Sequence, residues 1–464
     1  MDQPPEVVDR VGTWAFAGAI GAWVVVLGRI LQHRVYVSHD TVINYAHVWF
    51  VSDRLWRGDG VPLRMPALGH GEAVTFPYGF LPWSLAALAR PVFGDWSVTL
   101  LLVAITVGVM IATFWAFPEL SGGADHSRLS SPARAVEAGQ ATRHLHSRRL
   151  RRRAAGPQGQ GWWGAAVLLE PAMVTAPLIG QIPFLSGMTL LLVAVGAWRR
   201  DRRWLAIVAA GLAQATHPAI VLPLALGLVA GWLRWEPRRR ALVTAYAWSL
   251  LLAAPAVVLT LSSPVVEESS VWVKAYGFIA TIAPRCMVLT VPIALVLLMR
   301  LRRPWVAPAV VAALVVANAL MWAPLGMPWA WKGLDRQPDT RMVLFTQSAD
   351  FDPGATYRIL RIADGKIGMY QMLQGGGRLD SEFFPESIDR RSWPTTDAYL
   401  RFLDRRRVDY VMIWQGYDTR FRTNEHALLQ RLAATPCVRG RQVERVRSTL
   451  DYQLFHVREA CHHS

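Results

Sequence analysis

Asp40, Asn44 and His47 lie at i, i+4 and i+7 within the stretch Tyr36–Phe50, so on a helix they share one face. An acid, an amide and an imidazole gathered there can accept, orient and relay a proton, which is the work of general acid–base catalysis. His39 places a second imidazole beside the acid. A plainer reading stands next to the catalytic one: Asp40 or Ser38 caps a helix that begins at Thr41. Val42, Tyr45, Trp49 and Phe50 then turn toward lipid or protein.

What must position these residues is the apolar run before them. Residues 12–32 are long enough to cross a bilayer, so Asp40 falls where a membrane helix leaves it. The chain of 464 residues is 53% hydrophobic, and uncharged runs approaching ~20 residues recur through its first 325 positions. The pattern predicts a multi-pass α-helical membrane bundle of about nine or ten transmembrane helices over residues 1–329. A soluble α/β domain is expected over 330–464. No cleaved signal peptide is expected, because the first ten residues lack a basic n-region and the first run is long enough to span.

The formal charge of +16 does not point to nucleic acid, because the basic residues come in bursts between apolar runs. Arg199–Arg203, Arg238–Arg240 and Arg300–Arg303 are such bursts, and residues 119–160 form a basic, Ser/Gly/Arg-rich loop expected to be disordered and cytoplasmic. The gaps around Gln181, His217 and Glu267–Glu268 are then outside, and the alternation carries the C-terminal domain outside too. The first end is ambiguous: nine crossings put the N-terminus inside and Asp40 outside, and ten reverse both. The expected localisation is the cell (plasma or inner) membrane, with the C-terminal domain extracytoplasmic.

Residues 33–78 form the first polar loop, and two short apolar segments follow, 79–93 and 96–118. The first of these ends in Arg90-Pro91 and is short enough to lie in the interface. Beyond 330, Tyr357–Ala363, Ile367–Leu373 and Val408–Trp414 read as strands, as do the stretches around Val443 and Tyr452–Val457. Thr396–Asp404 and Asn424–Leu432 read as helices, and Gly375–Gly377 as a turn. Glu170-Pro171 is an acid inside an apolar run and marks a broken or interfacial helix. Cys286 reads as a packing residue; Cys437 and Cys461 are a disulfide candidate if their domain lies outside the cytoplasm.

No phosphate-binding Gly-rich loop, dinucleotide fingerprint, Cys-x-x-Cys pair or His-Glu-x-x-His motif occurs. What is present, namely His39-Asp40 after the first helix, Phe76-Pro77-Tyr78, Gly180–Phe184 and His217-Pro218, resembles the polytopic GT-C type glycosyltransferases. The layout of residues 10–325 shares that resemblance, and within the superfamily it is nearest to bacterial membrane proteins labelled 6-pyruvoyl-tetrahydropterin synthase-related. Phe-Pro-Tyr departs from the double-proline segment common there, and no three-histidine zinc set for pterin chemistry occurs.

The resemblance implies transfer of a sugar from a polyprenyl-phosphate donor to a glycan, glycolipid or protein acceptor on the outer face of the membrane. Asp40 takes the role of general base in it, with His39 or His47 orienting it or sharing a proton. The lipid-phosphate leaving group needs positive charge or donors. Arg54, Arg57, Arg64, His217, Lys332, Arg390 and Arg391 are the candidates. Asp40 with Glu72 is the pair that would hold a divalent cation such as Mg or Mn, if one is used. The charged, aromatic segment Gly377–Trp393 either folds back over the cavity or is an ordinary surface loop. The competing reading is a non-catalytic membrane transporter or an assembly scaffold for envelope polysaccharide.

Overall fold

A computed structural model describes residues 5–36, 38, 41–69, 71–73, 81–121, 160–262, 287–301, 303, 305–325, 344–360, 365–380, 392–449 and 452–458. His39, Asp40, the Phe76–Tyr78 segment, the body of the basic loop, Glu267–Glu268, Cys286, Lys332, Arg390, Arg391 and Cys461 lie outside the described residues.

The N-terminal part is helical: α1 (Pro5–Ile30), α2 (Thr41–Trp56), the hairpin β1 (Arg64–Met65) and β2 (Glu72–Ala73), α3 (Leu81–Phe93) and α4 (Trp96–Ala116). Then come α5 (Gln160–Leu168), α6 (Pro171–Leu178), α7 (Ile182–Arg199), α8 (Arg203–Thr216), α9 (Pro218–Trp232) and α10 (Arg239–Leu261). The helices α11 (Met287–Leu298) and α12 (Val306–Leu325) complete it. Among the described residues, four helical stretches are long and apolar enough to cross a membrane: Arg10–Ile30, Trp96–Ala116, Ile182–Arg199 and Arg239–Thr260. These four are fewer than the nine or ten expected, and other apolar runs form shorter helices, among them Ile220–Trp232, Val288–Leu298 and Val306–Leu320. α3, with 13 residues, is about 20 Å long and too short to span, as its sequence indicates.

The run over 162–179 is one of the interrupted ones. Pro171 has no N–H to give, and the Glu170 carboxylate accepts from Ala172 N at 2.8 Å and Met173 N at 2.6 Å. Those two N–H groups would otherwise serve the Leu168 and Leu169 carbonyls. Trp23 Nε1 donates to Leu168 O at 2.9 Å, and Asn318 Nδ2 to Leu169 O at 2.7 Å. The break is thus closed by side chains from α1 and α12, as a buried backbone requires. Glu170 is a cap.

The C-terminal part is a five-stranded sheet in the order β4-β3-β5-β7-β6. Its strands are β3 (Thr356–Leu360), β4 (Arg378–Leu379), β5 (Tyr410–Ile413), β6 (Gln442–Ser448) and β7 (Gln453–Arg458). β3 pairs in parallel with β4 and β5, β5 pairs antiparallel with β7, and β7 antiparallel with β6. α13 (Gly365–Gln374) joins β3 to its neighbour β4, α14 (Thr396–Arg405) lies between β4 and β5 in sequence, and α15 (Tyr417–Phe421) and α16 (Glu425–Ala433) follow β5. The expected strand over Ile367–Leu373 is instead the body of α13. Met369, Met372 and Leu373 are all buried at i, i+3 and i+4, a helical stripe, and the Gly-rich turn after Gln374 ends it.

The two faces of the sheet differ. Tyr357, Ile359, Tyr410, Met412 and α13 share a hydrophobic core with the bundle. Leu360, Val411, Ile413, α14 and α16 form a separate core on the far face. Within that far face Arg358 is fully buried, bidentate on Glu425 (2.6 and 3.1 Å) and bonded to Asp380 at 3.0 Å. Tyr399 adds a hydrogen bond to Glu425 at 2.8 Å.

Candidate functional site

The region around α2 is built from four directions. α2 starts at Thr41, and its residues Thr41–Val48 are all buried, so Val42 and Tyr45 face protein. Thr41 Oγ1 accepts from Ser38 N at 2.8 Å, which turns the chain into the helix. Asn44 and His47 share a face as their spacing predicts, and that face meets α3. Trp83 Nε1 donates to Asn44 Oδ1 at 2.8 Å, and the His47 ring stacks on Trp83 with centroids 4.0 Å apart.

His47 Nδ1 lies 2.8 Å from the Ile43 carbonyl, which only accepts. Nδ1 therefore carries the proton of the neutral ring, and Nε2 is its lone-pair nitrogen.

The third wall is the turn between α6 and α7. Asn44 Nδ2 donates to Gly180 O at 3.2 Å, and Tyr36 Oη to Leu178 O at 2.5 Å. Gly180 has φ +77°, and a Cβ there would run into the Thr41 methyl. Only glycine lets this turn approach the start of α2 so closely. Gly180–Phe184 is thus brought against the helix that follows Asp40.

The fourth wall is the α/β domain. Tyr370 of α13 lies against Tyr45 and Trp49 of α2, with ring centroids 6.3 and 6.5 Å away. Its hydroxyl donates to Asp95 Oδ1 at 3.0 Å, and Arg90 pairs with the same carboxylate at 3.3 Å. The hairpin after α2 reaches the sheet itself: Leu68 pairs with Leu379, with Leu379 N donating to Ala67 O at 2.8 Å and Gly69 N to Leu379 O at 3.0 Å. The loop after α1 and the C-terminal domain therefore lie at the same end of the bundle. The arginine-rich turns lie at the other end, where Arg199 pairs with Glu119 after α4 and Arg238 pairs with Asp201 and Glu236.

The remaining candidates divide. His217 is buried at the α8–α9 junction with its ring edge-on to Phe184 at 6.3 Å, which places it beside the first turns of α7. Arg54 is ten residues from Asn44, about 15 Å along the helix, and forms an exposed pair with Asp59 at 3.0 Å. Arg57 pairs with Asp53 at 2.8 Å and is also exposed. Arg64 bonds the Gly71 carbonyl at 3.0 Å and Ser262 Oγ at 3.0 Å, tying the hairpin to the end of α10. These three arginines hold loops, and none of these bonds reaches Asn44 or His47. Glu72 pairs through its backbone with Met65 in the hairpin. Among the described residues no group of three His, Cys, Asp or Glu is arranged to hold a metal ion. Cys437 is disulfide-bonded.

Sequence reading alone does not find Trp83, Tyr370 or Asp95, because each meets α2 or its neighbours through long-range packing. The glycine at 180 carries a faint signal, standing between two proline-containing apolar runs.

No family model, curated protein or solved structure matches this chain.

Proposed function

We propose that the chain is a multi-pass membrane protein with nine crossings: α1, α4, α5 with α6, and each helix from α7 to α12. The arginine-rich turns are assigned to the cytoplasm and the α/β domain to the outside. The observation that carries the orientation is the pairing of Leu68 with Leu379, which puts the loop after α1 on the domain's side. With the domain outside, the N-terminus is inside and Asp40 is outside. The bonded Cys437 in the same domain fits an oxidising compartment.

For the activity, we propose glycosyl transfer from a polyprenyl-phosphate sugar to an envelope acceptor, with Asp40 as general base. Support comes from the convergence at one end of the start of α2, His47, the Gly180 turn and an α/β domain. A hydroxyl acceptor needs a positioned carboxylate to remove its proton as the new bond forms. The test is complementation of a deletion strain, scored by envelope glycan composition, with membrane levels of wild type and Asp40→Asn matched. Loss of one sugar restored by wild type and not by Asp40→Asn supports the assignment. Equal restoration by both makes Asp40 a cap.

One observation favours the scaffold reading. The amide of Asn44 is spent on bonds that hold α2 to its neighbours, and Nδ1 of His47 on the Ile43 carbonyl within α2 itself. A scaffold is the outcome if the deletion strain loses a polymer and both forms restore it.

A further inference from the structure

At the arginine-rich end, α7, α8, α9 and α10 leave an apolar cleft of about 70 Å³ between them. Leu191, Trp198, Ile207, Leu228, Trp232 and Ala245 are among its walls. Ser249 also borders it, but its hydroxyl is used on the Tyr246 carbonyl at 2.7 Å and by Gln214 at 2.9 Å. The cleft presents apolar surface and little else. Around it the same helices carry exposed apolar side chains, Leu226, Trp248, Leu251 and Leu252 among them.

The ends of these helices are strongly cationic. The turns over 199–203 and 234–240 hold eight arginines against Asp201 and Glu236. Both acids are committed: Asp201 to Arg203 and Arg238, and Glu236 to Arg238 and the Trp198 indole. Arg202, Arg234 and Arg240 have no ion pair among the described residues. Trp204 and Trp235 stand beside them, 77% and 75% exposed, the placement of indoles at a bilayer–water boundary. Trp198 joins the two features, since its ring borders the cleft and carries the Arg238 guanidinium 5.3 Å above it.

We propose that this cleft binds one chain of an anionic phospholipid whose headgroup is held by the unpaired arginines of the two turns. The charge decides the occupant. A zwitterionic lipid or an apolar helix would fill the cleft without using the cationic surplus, whereas an anionic headgroup uses both features at once. The inference rests on the membrane reading above and is independent of the glycosyl-transfer reading.

The test begins with membranes of cells expressing the full chain, washed in alkaline carbonate. Release of the chain overturns the membrane reading. Retention leaves it standing, and the chain is then purified in neutral detergent. Thermal unfolding and native mass spectrometry are recorded with phosphatidylglycerol, phosphatidylcholine or inorganic phosphate. The expected result is a rise in melting temperature and a retained lipid with phosphatidylglycerol alone.

Two variants separate chain from headgroup. Ala245→Phe fills the cleft, and Arg202→Gln/Arg234→Gln/Arg240→Gln removes surface charge with little risk to folding. Each is expected to lose the retained lipid, the triple variant weakening phosphatidylglycerol by roughly fivefold per arginine. Equal effects of the two lipids, an equal effect of phosphate, or an unchanged triple variant would each overturn the proposal.

Discussion

The Tyr370 hydroxyl donates to Asp95 Oδ1 at 3.0 Å, joining a helix of the α/β domain to the residue that precedes α4. Tyr370 is buried, and burial first, then the Asp95 charge, push its phenol well above the usual range, so it remains a donor at every working pH. Arg90 holds the carboxylate from the other side. Tyr370→Phe removes one hydrogen bond to a charged acceptor, about 1.5 kcal/mol. Proteolytic release of the domain should then run roughly tenfold faster. Asp95→Asn should do no further harm in the Tyr370→Phe background, which a double-mutant cycle on the release rate will read. Additive effects would mean the two side chains act separately.

Gly180→Ala should disable whatever the end of the bundle beside the α/β domain does. The positive φ and the collision with the Thr41 methyl both act against any side chain there. Thr41→Ser keeps the hydroxyl that accepts from Ser38 N and removes the methyl. The double variant Gly180→Ala/Thr41→Ser should therefore recover part of the complementation lost by Gly180→Ala. Failure to recover any would locate the damage in the backbone conformation and not in the contact.

Arg358 is the buried centre of the far face. Replacing it with Met leaves Glu425 and Asp380 buried without their main counter-charge, a loss of about 3–5 kcal/mol. The expected outcome is a domain degraded in membranes, read by immunoblot and by trypsin resistance of the C-terminal fragment. Glu425→Gln with Arg358→Met should be milder than Arg358→Met alone, because it removes one of the stranded charges.

How much of this was legible follows from the range of each interaction. The start of α2 at Thr41 and the shared face of Asn44 and His47 are local, and spacing revealed them. The broken helix at Glu170-Pro171 was legible for the same reason, since a proline and a capping acid act within one turn. Trp83 and Tyr370 were not, because nothing near them in sequence says which helix they meet. The Ile367–Leu373 segment misled: its alternating Ile, Met and Gly mimic a strand, and only packing against α2 shows which period is used. The bridge at Leu68, in the turn of the hairpin, was missed because its partner is Leu379, over three hundred residues away.

His456 gives the domain a pH dependence of known sign. It stacks on Tyr410 with centroids 4.4 Å apart, and burial, then the Arg458 charge, hold its pKa below the ordinary 6.5. The unfolded chain therefore takes up a proton more readily than the folded one. This contribution to stability is complete above about pH 6.5 and is lost as pH falls from there through the folded pKa. His456→Phe keeps a stacked ring and removes the proton, so its melting temperature should fall less between pH 7 and pH 5 than that of the wild type. Parallel curves would assign the acid sensitivity to other groups.

The bonded state of Cys437 yields a test of which side the domain occupies. The sequence offers two partners, Cys286 and Cys461. β6 and β7 pair antiparallel with Gln442 opposite Arg458, and Cys461 follows Arg458 by only three residues, a reach of at most about 10 Å. Cys437 lies just before the Val438–Arg441 bridge that leads into β6, and Cys461 is the partner within short chain reach of the paired strand. A Cys437–Cys461 bond forms and persists only where thiols are oxidised, which for a membrane protein means the outer side. Chains denatured in maleimide without reductant should then take up one label, at Cys286, and three after reduction. Cys437→Ser should expose a second label, at Cys461, in unreduced chains. Three labels without reduction would put the domain on the reducing side and, with it, reverse the orientation of the whole bundle.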